Sequence, residues 1–125
     1  MDKKRILLID DEVAFTVLLK ANLEAAGSYH VMVQNDSTQA LMTARNFKPD
    51  LILLDVMMPK VSGGEIAQQL RDDPVLSRVP VVFLTAIVSR EETDAQGRLI
   101  GGRDFLAKPI DNKDVIACIE KYLGA

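Results

Sequence analysis

The chain has 125 residues, 48% of them apolar, which is enough for one hydrophobic core and too few for two. Its net charge is −3, and its 15 Lys and Arg are scattered apart from Lys3-Lys4-Arg5, so it lacks the electrostatic footprint of a nucleic-acid binder. No stretch approaches the roughly 18 apolar residues of a membrane span and no signal-peptide pattern opens the chain, so a single cytoplasmic domain over 1–125 is expected.

Arg5-Ile6-Leu7-Leu8-Ile9 is short, apolar and bounded by charge, as a strand buried on both faces requires, and it ends at Asp10-Asp11. From Glu12 to Ala26 the residues Phe15, Leu18, Leu19, Leu23 and Ala26 recur at helical spacing, and Gly27 stands where a left-handed cap would stop the helix. Tyr29 to Val33 alternates like a strand, with the lone His30 a strand or surface residue. Ser37 to Phe47 returns to helical spacing through Ala40, Leu41 and Ala44 before Pro49. Leu51 to Leu54 is the third strand, and Asp55 follows it. A loop of breakers, Met57 to Gly63, leads into a helix from Gly64 to about Arg71, with Ile66, Ala67 and Leu70 on its apolar face and Pro74 beyond its end.

The fourth strand is Val81 to Leu84, ending at Thr85. A fourth helix belongs between Val88 and Arg103, but Gly97 lies inside it and Gly101-Gly102 at its end, and an internal glycine costs about 1 kcal/mol relative to alanine. That segment reads as a short or mobile helix, or else as a regular one with its glycine facing solvent. Phe105-Leu106-Ala107 is a short fifth strand running into Lys108-Pro109. Asp111 then caps a last helix with Val115, Ile116, Ile119 and Leu123 inside. The single cysteine, Cys118, falls among apolar neighbours there and reads as a small buried side chain.

Strands alternating with helices imply an α/β fold: a doubly wound, five-stranded parallel sheet with helices on both faces. Ligands of such sheets bind beyond the carboxyl ends of the strands. Those ends hold Asp10 and Asp11, Asp55, Thr85 and Lys108. Taken singly, the acids would serve as helix or turn caps, the threonine as a strand end and the lysine as a solvated charge. Their joint placement is what these readings do not explain. Three carboxylates held close repel one another unless a cation offsets them. Oxygen ligands without histidine or cysteine favour Mg²⁺ or Mn²⁺, and a lysine and a hydroxyl beside such an ion suit the oxygens of a phosphoryl group.

Asp10-Asp11, Asp55 in the run DVMMP, Gly63, Thr85-Ala86 and Lys108-Pro109 together resemble the response-regulator receiver domain of two-component signalling, over about Lys4 to Leu123. The resemblance implies a flavodoxin-like strand order, 2-1-3-4-5. It implies that Asp55 is the phosphoacceptor, taking a phosphoryl group from a sensor histidine kinase or a phosphotransfer protein. Asp11 and Asp55 would then ligate Mg²⁺ directly, Asp10 through a water, and Met57 through its backbone carbonyl. Lys108 would pair with the phosphoryl group, and Thr85 would turn its hydroxyl onto it. Phe105 would be the switch aromatic behind Thr85, and the bond before Pro109 would be cis. The responding surface would be the face built from the fourth helix, the fifth strand and the last helix, and a phosphorylation-dependent dimer is one outcome.

Some positions add to that pattern. Phe105 has no hydroxyl, so its inward turn removes apolar surface without offering a hydrogen bond. Met57 and Ile87 flank the expected phosphoryl position; neither orients a water, both obstruct one, and slow self-dephosphorylation follows unless the pair is ordinary packing. Ala14, Val17 and Ala21 form a second apolar stripe on the first helix, with Val13 beside the acids. That stripe suits a helical partner. A flavin carrier is disfavoured because Asp10-Asp11-Glu12 occupies the loop where a phosphate cradle belongs. A small-molecule aspartyl-phosphate phosphohydrolase needs a second acid where Met57 stands, and a pseudo-receiver would not need the full set of phosphorylation residues. No output domain is legible, and the reading is of a signalling module rather than a turnover enzyme, with its downstream partner unknown.

Overall fold

The computed structural model describes residues 3–85, 105–107 and 111–124. The helix expected between Val88 and Arg103, and the residues Ile87, Lys108 and Pro109, lie outside that set.

Four of the five strands are β1 (Lys4–Ile9), β2 (Tyr29–Gln34), β3 (Leu51–Asp55) and β4 (Val81–Thr85), and β5 is Phe105–Ala107. They form one parallel sheet in the order β2-β1-β3-β4-β5, as the resemblance implied. The central strands are apolar on both sides because both sides are covered. Ile6, Leu8, Leu51, Leu53, Val82 and Leu84 pack on one face with Leu19 and Leu23 of helix α1 (Val13–Ala25) and Val115 and Ile119 of the last helix (Asn112–Leu123). Leu7, Ile9, Ile52, Leu54, Val81 and Phe83 pack on the other with Ala40 and Ala44 of α2 (Ala40–Phe47) and Ile66, Ala67 and Leu70 of α3 (Gly63–Asp72).

The helix ends follow local chemistry. Gly27 takes the left-handed conformation, φ +89°, just past α1, as its position predicts. Asp111 caps the last helix by accepting from the Lys113 amide at 2.9 Å. Ser62 caps α3 by accepting from the Glu65 amide at 3.2 Å, so that helix starts one residue before the expected Gly64.

Three local expectations are corrected. Leu18 and Ala26 are not core residues: Leu18 is 63% exposed and Ala26 is at the surface, while Thr16 takes the inward position. The stretch from Ser37 is not one continuous helix, because Ser37–Gln39 is a 3-10 turn held by the Asp36 side chain ahead of α2. Cys118 is only partly buried. His30 is exposed on β2, edge-on to Phe47 with ring centroids 5.4 Å apart.

One ion pair ties α2 to the end of α3. Arg45 reaches the buried carboxylate of Asp73 at 2.7 Å, and Asp73 also accepts from the amides of Val75 and Leu76. The Arg45 hydrogen bond, with help from those amides, holds the Asp73 carboxyl below its ordinary value of 3.8. A carboxyl depressed by folding stabilises the protein above its unfolded pKa, and that stabilisation is lost as pH falls through the lower, folded value. Melting temperatures followed from neutral pH to below about pH 3 should therefore fall more steeply for the parent than for Asp73→Asn, which has no such group to protonate.

Candidate functional site

β1 and β3 run side by side with Ile9 opposite Leu54, so the next residue on each strand is an aspartate at the same edge. Asp10 is fully buried and Asp55 is 4% exposed. Each is held by backbone on both sides. The Asp10 amide donates to the Gln34 carbonyl at 3.2 Å, and one Asp10 carboxylate oxygen accepts from the Glu12 amide at 2.9 Å. Asp55 pairs with Leu84 of β4, and its carboxylate accepts from the Met57 amide at 3.3 Å.

Asp11 completes the group from a more open position. One carboxylate oxygen from each of Asp10, Asp11 and Asp55 can be chosen so that all lie within 4.8 Å of one another. Like charges at that spacing repel strongly in a partly buried setting, and a divalent cation is the economical remedy. The donor set is oxygen alone, two of the three groups are fixed by backbone amides, and the third is accessible. It suits Mg²⁺ or Mn²⁺ better than zinc, whose protein sites favour nitrogen and sulfur ligands.

The other expected residues divide into those the structure places and those outside it. Thr85 is 2% exposed at the carboxyl end of β4, one residue beyond the partner of Asp55, and pairs with Ala107 of β5. Phe105 pairs with Phe83 in the same ladder and is half-buried against the α2–α3 side of the core. Met57 follows Asp55 in the loop, its side chain 75% exposed, so packing does not account for it. Lys108, Pro109 and Ile87 fall outside the described residues.

Gly63 shapes the loop behind Asp55. Its amide donates to the Val56 carbonyl at 3.0 Å, and a Cβ at this position would collide with the Asp55 carbonyl oxygen and lie 2.8 Å from Val56 Cα. Only glycine lets α3 begin this close to the acid.

Sequence reasoning missed the polar residues that support these loops. Asn35 donates to the Asp10 carbonyl, Ser37 donates to the Pro59 carbonyl, and the buried Thr16 hydroxyl donates to the Val13 carbonyl. The Asp36 carboxyl beside them is held below the ordinary carboxylate range by the Thr38 hydroxyl first, then by the Thr38 amide and Lys60. Nothing in residue type or spacing separates such groups from ordinary loop polar residues. The one available signal was the run of short polar side chains after β2, typical of turns.

Gly63→Ala is expected to push the start of α3 away from Asp55. Amide chemical shifts of residues 55–63 should move and the melting temperature fall by several degrees, a loss of about 1–3 kcal/mol. Gly64→Ala, where an added Cβ meets only the Ser62 hydroxyl at 3.9 Å, should leave the shifts around Asp55 in place and hold or slightly raise the melting temperature, since alanine is favoured over glycine within α3.

The family model of the response regulator receiver domain matches residues 6–120. Among characterised proteins, the chain is 40% identical over 121 residues to the alkaline phosphatase synthesis transcriptional regulatory protein PhoP of Bacillus subtilis, covering 96% of this chain and 48% of that one. It is 35% identical over 123 residues to the polar-differentiation response regulator DivK of Brucella anthropi, covering 97% of each. The chain thus spans about half the length of the first relative and nearly all of the second. Among solved structures, chemotaxis protein CheY4 of Vibrio cholerae superposes with a TM-score of 0.84 at 26% identity, covering 97% of this chain and 99% of that one. The receiver domain of sensor histidine kinase PA1611 from Pseudomonas aeruginosa superposes with a TM-score of 0.85 at 27% identity, covering 98% and 99%. That structure holds a magnesium ion coordinated in its active-site cleft.

Proposed function

We propose that this chain, which belongs to the response regulator receiver domain family, accepts a phosphoryl group on Asp55 and changes its contacts with partner proteins in response. Receiver domains are signalling modules of two-component systems rather than conventional enzymes. They bind Mg²⁺ in the active site and interact with histidine kinases or phosphotransfer proteins. The observation that carries the reading is the convergence of Asp10, Asp11 and Asp55 within 4.8 Å at the carboxyl edge of a parallel sheet.

In this reading a carboxylate oxygen of Asp55 attacks the phosphorus of a phosphohistidine. The P–N bond breaks, the imidazole leaves with the bonding pair, and an acyl phosphate remains on Asp55. Asp11 and Asp55 would hold Mg²⁺ directly, Asp10 through a water, and Met57 through its backbone carbonyl. The chemistry such an ion supplies is neutralisation of charge shared by the carboxylates and the incoming phosphoryl oxygens. The buried position of Asp10 and the amide donated to Asp55 by Met57 hold the acceptor side in place before the donor arrives.

Lys108 is assigned to a phosphoryl oxygen, with Pro109 after it on a cis bond. Thr85, at the end of β4, is assigned to another oxygen, and Phe105 to the space its rotation opens. Met57 and Ile87 are assigned to limiting the access of hydrolytic water. A pseudo-receiver and a small-molecule phosphohydrolase stay behind this reading. The first leaves the acid cluster without a use, and the second lacks an acid at Met57.

The exposed apolar residues of α1 are the proposed landing site for the donor. Val13, Val17 and Leu18 are each more than half exposed, and Ala14 and Ala21 continue the same surface. It begins directly after the acids, so a donor helix lying on it brings its histidine to Asp55.

One labelling experiment separates the chemistry from the docking. Acetyl phosphate with Mg²⁺ should phosphorylate the parent and Val17→Lys equally and leave Asp55→Asn unlabelled, while transfer from a phosphorylated kinase slows roughly tenfold in Val17→Lys. Label on Asp55→Asn would refute the acceptor assignment, and equal losses with both donors would refute the docking face.

A further inference from the structure

The turn between β2 and α2 touches both loops that carry the acids. Asn35 sends its side-chain amide to the Asp10 carbonyl at 2.7 Å and to the Thr16 hydroxyl at 3.0 Å. Thr16 is fully buried and its hydroxyl donates a hydrogen bond to the Val13 carbonyl at 2.9 Å, so Asn35 grips the turn from β1 into α1 at two points. Two residues on, Ser37 reaches the other loop. Its hydroxyl donates to the Pro59 carbonyl at 2.8 Å and accepts from the Val61 amide at 3.2 Å, and the residue is 7% exposed.

These contacts oppose a specific stress. Asp11 sits on the first loop, and Asp55 with Met57 leads into the second. The three carboxylates repel, and the easiest relief would be for the loops to spread apart. The segment 35–37 is short, its turn is braced by the Asp36 side chain accepting from the Thr38 amide at 3.0 Å, and three of its hydrogen bonds run to main-chain atoms of Asp10, Pro59 and Val61. A cleft of about 430 Å³ lies along this strap, lined by Asp11, Asn35, Asp36, Ser37, Pro59 and Lys60.

We propose that Asn35 and Ser37 are positioning residues for the cation at the acidic site, acting as the two ends of one strap that fixes the spacing of the loops bearing Asp11 and Met57. The inference rests on the reading that a divalent ion binds there. Neither side chain touches the ion; each acts through the backbone it holds. Because the two anchors work in series, releasing either end frees the strap.

The test is a calorimetric Mg²⁺ titration of the unphosphorylated chain, paired with urea unfolding in EDTA. Ser37→Ala and Asn35→Ala should each raise the Mg²⁺ Kd roughly tenfold, and Ser37→Thr, which keeps the hydroxyl, should stay within about twofold of the parent. The double variant should be no weaker than either single one, as expected for two groups acting as a unit. A bracing role alone would lower the urea midpoint without moving Kd. If the parent binds Mg²⁺ while both alanine variants bind within about twofold of it, or the double variant multiplies the two losses, the strap is refuted and the functional reading stands. If the parent takes no Mg²⁺, the functional reading falls and the strap with it. Should Ser37→Ala fail to fold, Asn35→Ala and Ser37→Thr decide the matter alone.

Discussion

Ile9 stands opposite Leu54 in the parallel ladder of β1 and β3, and from that register the chemistry follows. Parallel neighbours end at the same edge, so the residue after each apolar run arrives beside its counterpart, and here both are aspartates. A slip of one residue would turn the alternating Leu and Ile side chains to the wrong faces, undoing the packing on both sides of the sheet. The apolar core that fixes the register therefore also fixes the distance between the charges. Among the described residues each face is covered by two helices, which makes the register expensive to change.

The acids are a liability held in place by the rest of the fold. Buried carboxylates this close oppose folding unless something offsets them, and proteins tolerate such strain where function requires it. The local architecture absorbs the stress through short connections: the Glu12 amide on Asp10, the Met57 amide on Asp55, and a glycine that lets α3 begin against the Asp55 backbone. Asn35 and Ser37 continue the same scheme one layer out. A cation and a phosphoryl group would complete it, which links the static geometry to a response: what binds the cluster changes the balance of forces on the surrounding loops.

Much of this was legible because the strands are continuous apolar runs ending in charge. Leu51 to Leu54 is too apolar for an exposed strand, so Asp55 after it had to arrive at the edge of a sheet covered on both faces, as Asp10 does after Ile9. The cap at Gly27 and the cap at Asp111 were readable for a similar reason, since each residue type serves a specific backbone need. Leu18 misled because periodicity identifies an apolar face without saying whether the protein or a partner covers it, and Thr16 was overlooked because a threonine can be buried once its hydroxyl has a backbone acceptor. Asn35 and Ser37 were invisible for a deeper reason. Their roles depend on loops 25 and 22 residues away in sequence, and no local pattern encodes that meeting.

The fold brings carboxylate oxygens of Asp10, Asp11 and Asp55 within 4.8 Å of one another, an arrangement suited to a divalent cation. Thermal melting of the parent and of Asp11→Asn, each in EDTA and in saturating Mg²⁺, tests it most directly, because an ion that binds only the folded state must raise the melting temperature. The parent should melt several degrees higher with Mg²⁺. Asp11→Asn should melt above the parent in EDTA, its repulsion relieved, and gain little from the ion. A parent indifferent to Mg²⁺, or a variant less stable than the parent in EDTA, would contradict the account.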